Sequence, residues 1–258
     1  MRRLISILSA LAIGASVMMI PAVANAEVSA TYITNSDFSD CAVGGAKGLG
    51  YYGLGIIKDG SPWLSKGSAN EHYETFMYDE ERKVNYCNMY STSNKSGSDG
   101  AGSMYMYQRD LTSNFSQTWG HMKFDLRWNS GAFNLMFGSF SDPTSNTNYL
   151  ANTIRIGDGQ ITAKDGSQTK TIAQIQSGEW YTVDIVTCNP LQEVDIIVRD
   201  SKGKAIGSGE DLSFEQRECD KVRIWCFGYI RSNAYDYDLT NVTIEKSDDK
   251  KDPFAILG

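Results

Sequence analysis

Four titratable or charged side chains occupy every second position of one short segment: His121, Lys123, Asp125 and Arg127. A histidine can exchange protons near neutral pH, and the planar guanidinium of an arginine can hold a carboxylate through two hydrogen bonds. The intervening positions carry Met122, Phe124, Leu126 and Trp128. Because side chains of a β-strand alternate between its two faces, the segment predicts a strand with an apolar core face. Its polar face is either solvated or part of a binding site, and the pattern alone allows both.

Aromatic, amide and guanidinium side chains also alternate with apolar residues in other segments. Tyrosine and tryptophan rings can stack on a sugar ring while their polar atoms form hydrogen bonds, and the chain has 14 tyrosines and 5 tryptophans. The candidate ligand-binding residues are Tyr105, Tyr107, Arg109, His121, Arg127, Asn134, Trp225 and Tyr229. A packing role remains an alternative for the tyrosines and for Trp225.

The elements that would position these residues are short β-strands. Apolar and polar residues alternate, with many β-branched and aromatic side chains, over Ser103–Arg109, Met122–Trp128, Ala132–Phe140, Asn152–Ile156, Trp180–Thr187, Val194–Arg199, Val222–Tyr229 and Leu239–Glu245. Turn signals rich in glycine, asparagine and aspartate lie at 129–131, 157–159, 165–166 and 201–203. No long segment has the apolar spacing of a helix. The pattern predicts an all-β fold, an antiparallel sandwich or barrel.

The N-terminal segment has the layout of a secretory signal peptide. Residues 1–26 contain Arg2 and Arg3, a long apolar stretch and the ending Ala24-Asn25-Ala26. Because the apolar run is interrupted and ends at Pro21, a transmembrane anchor is the weaker interpretation. We therefore expect a secreted protein with a single β domain over residues 27–246. Residues 247–258 form a charged C-terminal tail that we expect to be solvated.

Charge and cysteine usage narrow the classes of partner and cofactor. The formal net charge of −7 argues against nucleic acid or an anionic membrane surface as the main partner. There is no Cys-x-x-Cys pair and only two histidines, so a structural zinc site is not expected. Five cysteines leave at least one thiol unpaired in a monomer, with one or two disulfides left open: Cys41, Cys87, Cys188, Cys219 and Cys226.

The order of several segments carries a family resemblance. The opening YITNSDFSD (Tyr32–Asp40) and the ending YDYDLTNVTIEK (Tyr235–Lys246) flank HMKFDLRW, NTIRIGDGQITAKDG and GEWYTVDIV. Together they resemble concanavalin A-like lectin/glucanase domains of the laminin-G-like kind. The resemblance implies a jelly roll of two sheets, in which the closing strand returns beside the first. It also implies a curved sheet whose groove receives a glycan, so the expected partner is a cell-wall or matrix polysaccharide, including acidic ones.

The residues discriminate between two kinds of catalysis on polysaccharides. Glucanases resembling laminarinases carry E-x-D-x-x-E on one strand, and this chain has no such triplet. A polysaccharide lyase needs a base and a cation that neutralises the uronate carboxylate. His121 or Tyr107 could be the base, and Arg127 the cation. We therefore expect binding ahead of catalysis and a lyase if the protein is an enzyme. A structural or adhesive surface protein without a glycan ligand remains the third interpretation.

Acidic residues elsewhere give no metal assignment. The resemblance implies that a structural Ca²⁺ ion could fix the termini, with Asp37 and Asp238 as candidates. The acids expected at Ser39 and Thr240 are missing, so no metal site is assigned. The cluster at residues 79–82 (Asp-Glu-Glu-Arg) is interpreted as a solvated turn.

Overall fold

The computed structural model describes residues 31–39, 63–66, 72–91, 105–108, 118–139, 149–219, 222, 224–227 and 234–257. In these ranges every regular element is a β-strand, and every strand pairing is antiparallel, as predicted. The same ranges contain no helix that is long and apolar enough to cross a membrane. The predicted signal peptide lies outside the described residues.

Fourteen strands are present in the described residues. They are β1 (Thr31–Ser36), β2 (Trp63–Lys66), β3 (His72–Asp79), β4 (Val84–Ser91), β5 (Tyr105–Gln108), β6 (Trp119–Ser139), β7 (Tyr149–Gly157), β8 (Gln160–Asp165), β9 (Gln168–Gln174), β10 (Trp180–Cys188), β11 (Glu193–Asp200), β12 (Ala205–Ser213), β13 (Ile224–Phe227) and β14 (Tyr235–Ser247).

The strands form two sheets of a jelly-roll sandwich. Sheet A has the order β12–β11–β10–β6–β14, and β14 pairs on its other side with β4 and with β1. Strand β3 pairs with β4 in the same sheet. Sheet B has the order β9–β8–β7–β6–β13–β5–β2. The pairing of β1 with β14 confirms that the closing strand returns beside the first, as the resemblance implies.

Strand β6 belongs to both sheets, because the turn predicted at residues 129–131 does not reverse the chain. Trp128 pairs with Tyr237 and Ser130 pairs with Asp236, so Asn129 is an extra residue that bulges from the ladder. Gly131 follows with a φ of 69°, a conformation that favours glycine. The bulge and the glycine bend the strand, and β6 continues from sheet A into sheet B. The prediction of two separate strands here is therefore wrong.

The apolar residues of β6 face one core on both sides of the bulge. Met122, Phe124 and Leu126 are fully buried in sheet A, as predicted, and Trp128 packs partly buried against the same core. In sheet B the residues that join the core are Phe133, Leu135 and Phe137, since one extra residue changes the parity of the alternation. Burial of side chains of this size contributes about 1.5–3 kcal/mol each, which holds the two sheets face to face.

Seven strands are not predicted by alternation: β1, which the resemblance predicted, and β2, β3, β4, β8, β9 and β12. Strand β12 shows why, because Gly207 and Gly209 interrupt its side-chain pattern. A Cβ atom on Gly207 would lie 2.0 Å from the backbone oxygen of Ile172, so the glycine allows β12 to approach β9 closely. Close packing of backbones thus replaces the side-chain alternation from which strands are predicted.

The C-terminal segment, residues 248–257, differs from the expected solvated tail. The Trp119 indole Nε1 donates to the backbone oxygen of Asp249 at 2.9 Å, and Arg199 Nη2 donates to that of Ile256 at 3.2 Å. Trp119 starts β6 and Arg199 lies on β11, so the segment crosses the outer face of sheet A, the face that points away from the core.

Candidate functional site

The polar residues of the first half of β6 lie on the outer face of sheet A. Their cross-strand neighbours come from β10 on one side and β14 on the other, so that Arg127 lies between Trp180 and Asp238. Asp125 lies between Thr182 and Thr240 in the next row. The face is therefore a three-strand surface of paired charges, and its contacts decide whether any of them can meet a ligand.

The guanidinium of Arg127 is matched by two carboxylates. Its Nε donates to Asp238 Oδ2 at 2.7 Å, and its Nη1 donates to Asp79 Oδ2 at 3.3 Å. Asp238 is 1% exposed and also accepts hydrogen bonds from the amides of Asn88 and Asn129. Because these buried carboxylates already neutralise Arg127, it is not free to hold the carboxylate of a uronate, which corrects the ligand role predicted for it.

Trp180, which the sequence analysis did not select, is enclosed by the same network. The guanidinium carbons of Arg82 and Arg127 lie 4.6 and 4.7 Å from the centroid of its ring. Its indole Nε1 donates to Asp79 Oδ2 at 3.2 Å. A backbone hydrogen bond from Arg82, assisted by those contacts, holds the pKa of Asp79 below its usual value despite burial. The 79–82 segment is a turn, as predicted, but Asp79 and Arg82 reach inward over Trp180.

Asp125 is buried among donors from three elements. Its carboxylate oxygens accept from Arg82 Nη2 at 2.8 Å, from the hydroxyl of Thr182 at 2.8 Å and from the amide of Asn241 at 2.9 Å. A buried carboxylate with this many partners is stabilised where it is. Asp125 is thus a structural anchor of the outer face.

His121 is held between two carboxylates at the other end of the face. Its Nε2 lies 2.5 Å from Asp184 Oδ1 on β10, and its Nδ1 lies 2.7 Å from Glu245 Oε2 on β14. Burial lowers the pKa of His121, but the hydrogen bonds and charges of Asp184 and Glu245 outweigh this and raise it above its ordinary value. With a carboxylate oxygen facing each ring nitrogen, the site favours the protonated imidazole, in which both nitrogens donate.

This arrangement does not suit the lyase chemistry considered for these residues. A general base needs a free lone pair within reach of the substrate, and both nitrogens of His121 face carboxylate oxygens. His121 is also only 8% exposed, beneath the ring of Phe254. Tyr107 lies on β5 in sheet B, so the structure does not bring the three proposed catalytic residues together.

The outer face of sheet B carries a second set of polar residues. Asn134 lies between the buried Phe133 and Leu135, so its side chain is on the outer face, and its Oδ1 is buried without a hydrogen-bond donor from the described residues. Arg155 is its cross-strand neighbour on β7, and Arg155 Nη2 pairs with Asp158 Oδ2 at 2.8 Å. An orphaned acceptor of this kind is costly in a folded protein.

The backbone register relates two more predicted residues to Asn134. Tyr107 pairs with Cys226 of β13, and Cys226 pairs with Met136 of β6. Tyr105 lies two residues from Tyr107 on β5, just as Asn134 lies two residues from Met136. Tyr105, Tyr107 and Asn134 therefore occupy neighbouring rows of sheet B. Arg109 and Tyr229 lie outside the described residues.

Trp225 lies in the core. It is 1% exposed, and its ring stacks on Phe137 with the ring centroids 4.5 Å apart. Trp225 pairs with Phe137 across the ladder and so shares its inward face. The structure thus replaces the ligand-binding interpretation of Trp225 by a packing role.

The described residues offer no assembled metal site. Among them, no group of three or more histidine, cysteine, aspartate or glutamate side chains is placed to hold an ion. Asp238 is bound to Arg127, and Asp37 accepts from the backbone N–H of Ser39. Three of the described cysteines are buried: Cys87, Cys188 and Cys219.

Comparisons with known proteins leave the family open. No protein-family model matches the chain, and no curated protein sequence matches it. A sialidase structure matches 77% of this chain at 13% identity and a TM-score of 0.47, but the match covers only 22% of that protein.

Two further solved structures are similar over most of their own length. The CBM2 module of the evolved Dit of Lactobacillus casei BL23 phage J-1 is 12% identical, with coverages of 86% of this chain and 98% of that one and a TM-score of 0.47. Alginate lyase A1-II′, of polysaccharide lyase family 7, is 11% identical, with coverages of 67% and 83% and a TM-score of 0.45. With TM-scores below 0.5, these similarities assign neither a family nor a function to this chain.

Proposed function

We propose that this protein is exported and binds a polysaccharide on the outer face of sheet B, through Asn134 together with Tyr105 and Tyr107. The observation that carries the proposal is the buried Oδ1 of Asn134, which has no donor among the described residues. A buried acceptor left unpaired costs about 1–3 kcal/mol. A sugar hydroxyl is a donor of the right kind. Asn134 as a residue is only partly buried, so a turn of its side-chain amide would bring Oδ1 to the ligand, and binding would remove this cost.

The neighbours of Asn134 suit a carbohydrate ligand. Arg155 is a half-exposed cation in the next strand, and the hydroxyl of Thr153 on the same strand donates to Glu215 Oε2 at 2.7 Å. A tyrosine ring can stack on a pyranose ring, and the backbone register brings Tyr105 and Tyr107 into the rows beside Asn134. Amide, guanidinium and aromatic groups are the kinds of side chain that orient sugars.

Sheet B is a better binding face than sheet A because the charged side chains on the outer face of sheet A are already paired within the protein. Arg127, Asp125 and His121 are each bound by partners from neighbouring strands. Opening that network for a ligand would leave buried charges unpaired, which costs several kcal/mol. By contrast, Arg155 and Asp158 are 38% and 67% exposed, and such a pair is held weakly. Arg155 can therefore exchange Asp158 for the carboxylate of a uronate.

Binding can be measured by calorimetry against pectin, alginate, xylan and β-glucan. Asn134→Leu removes the acceptor at nearly constant volume, and we expect at least a tenfold loss of affinity together with an unchanged or higher melting temperature. Lys123→Gln is the matched control, since Lys123 is exposed on the other sheet. The proposal fails if Asn134→Leu binds as the parent does, or if no glycan binds.

The same panel separates the finer parts of the proposal. If Arg155→Gln loses binding to pectin and alginate alone, the ligand is acidic. If Arg155→Gln binds each of the four polymers as the parent does, the ligand is neutral. Growth of the ultraviolet absorbance of unsaturated uronates would instead identify a lyase. Export is tested by expressing the full chain and sequencing the mature N-terminus, which we expect to begin at Glu27.

A further inference from the structure

The C-terminal segment, residues 248–257, covers the protonated histidine of sheet A. The ring of Phe254 lies over the imidazole of His121 with the ring centroids 4.5 Å apart and the planes inclined by 31°. The segment is also held by hydrogen bonds to its backbone, from Trp119 at one end and from Arg199 at the other. The contact with His121 is a side-chain interaction between these two points.

The segment does not seal the face that it covers. A pocket of about 270 Å³ remains beside it, lined by Trp119, Val186, Asp195, Asp252 and Leu257 among others. A second opening lies on the far side, between β11 and residues 255–257. A segment with openings on both sides, none of whose residues belongs to the core, can leave the sheet without disrupting that core.

The charges around His121 come from every element packed against it. They are Asp184 from β10, Glu245 from β14, Lys123 from β6, Arg199 and Asp195 from β11, and Asp252 from the segment itself. Arg199 Nη1 lies 3.5 Å from Asp184 Oδ2, so it partly balances that carboxylate. With His121 protonated, the imidazolium and Arg199 balance Asp184 and Glu245.

Loss of the proton changes this balance and the docking surface together. A neutral imidazole has one donor, so one of the two carboxylates would face a ring nitrogen that bears no hydrogen. The attraction between an imidazolium and the face of the Phe254 ring would be lost as well. Asp252, close to the same face, would then meet an excess of negative charge.

We propose that residues 248–257 form a pH-dependent clasp, which docks on the outer face of sheet A while His121 carries its second proton and is released when that proton is lost. Release would uncover Trp119 and Val186, a surface separate from the glycan face proposed on sheet B. The direction follows from the two contacts that the segment itself brings. The ring of Phe254 and the carboxylate of Asp252 both favour an imidazolium over a neutral ring, so docking is favoured below the pKa of His121 and is lost as the pH rises through it. Asp184 and Glu245, which raise this pKa, belong to the sheet and stay in place when the segment leaves.

The test uses the reciprocity between docking of residues 248–257 and protonation of His121. NMR on the full-length chain measures the pKa of His121. If protonation favours docking, docking must raise the pKa of His121 by the same free energy. Phe254→Ala weakens docking, so the pKa of His121 should fall, by about one pH unit for each tenfold loss of the docking preference. The chain has only two histidines, and His72→Gln assigns the two imidazole signals. An unchanged or raised pKa in Phe254→Ala would overturn the proposal.

A second measurement follows the segment directly. Amide hydrogen exchange of residues 249–257, corrected for intrinsic rates, should show protection that disappears as the pH rises through the titration of His121. In His121→Gln the protection should be low and independent of pH. Lys251→Gln, a loss of an exposed charge within the segment, should keep the pH dependence of the parent. Protection in the parent that stays constant while His121 titrates would refute the clasp, whether or not His121→Gln folds.

Discussion

Asp238 Oδ2 accepts a hydrogen bond from Arg127 Nε at 2.7 Å across the junction of β14 and β6 on the outer face of sheet A. Asp238 is almost fully buried, whereas the side chain of Arg127 is 22% exposed. The pair links the closing strand of the fold to the one strand shared by both sheets, and Asn88 and Asn129 hold the carboxylate in place. This contact makes Arg127 a stabilising residue, whatever ligand the protein binds.

Removing one partner of this pair should destabilise the fold. We expect Arg127→Ala to lower the free energy of unfolding by about 3 kcal/mol, because it leaves the Asp238 carboxylate buried without its cation. Chemical denaturation measures the change. Lys170→Gln, which breaks the exposed pair with Asp165, is the control and should cost about 1 kcal/mol or less. Similar losses in both variants would mean that burial of Asp238 does not strengthen its pair with Arg127.

The bend of β6 should depend on Gly131. Gly131→Ala places a Cβ atom 2.0 Å from the backbone oxygen of Ala234, at a φ of 69°. Gly166→Ala, at a φ of 56° with nothing within 4 Å of its Cβ, carries the conformational cost of about 1–2 kcal/mol alone. We expect thermal melts to show a clearly larger loss for Gly131→Ala. Equal losses of stability in the two variants would show that the backbone around Ala234 can shift at little cost.

An uncompensated acidic group should limit stability at neutral pH. Burial, with repulsion from Asp211 and Asp195, raises the pKa of Glu193. Its ionised form therefore opposes folding above its folded pKa, and the penalty disappears once the pH falls below the unfolded value of about 4.3. We expect Glu193→Gln to raise the melting temperature at pH 7 and to have no effect near pH 4.

Glu179→Gln makes the same charge change at an exposed turn and serves as the control for Glu193→Gln. A gain of equal size in both variants would reflect the net negative charge of the whole chain rather than the surroundings of Glu193.

The thiols should report on the integrity of the core. Cys188 is free and buried, and burial raises the pKa of its thiol, which lowers its thiolate fraction. In the native protein we expect Cys188 to resist iodoacetamide. After unfolding without reductant it should be alkylated, as mass spectrometry of its peptide can show. A disulfide at Cys188 would contradict the structure.

The fold class and the core face of β6 follow from the sequence, because both depend on local alternation. Met122, Phe124 and Leu126 recur at the period of a strand, and the chain has no other way to bury them together. The resemblance of the two terminal segments to a jelly roll also predicted the pairing of β1 with β14. In β12, one of the strands that alternation missed, Gly207 and Gly209 interrupt the side-chain pattern.

The roles of the polar residues were decided only by the tertiary structure. Alternation placed His121 and Arg127 on one face. Whether the charges of that face are solvated, paired within the protein or available to a ligand depends on residues far away in sequence. Asp238 lies 111 residues from Arg127, and Glu245 lies 124 residues from His121. The bulge at Asn129 then moved Asn134 to the outer face of the other sheet. A sequence pattern determines which side of a strand a residue is on, and the charges that meet it are set by strand pairing, which no local pattern contains.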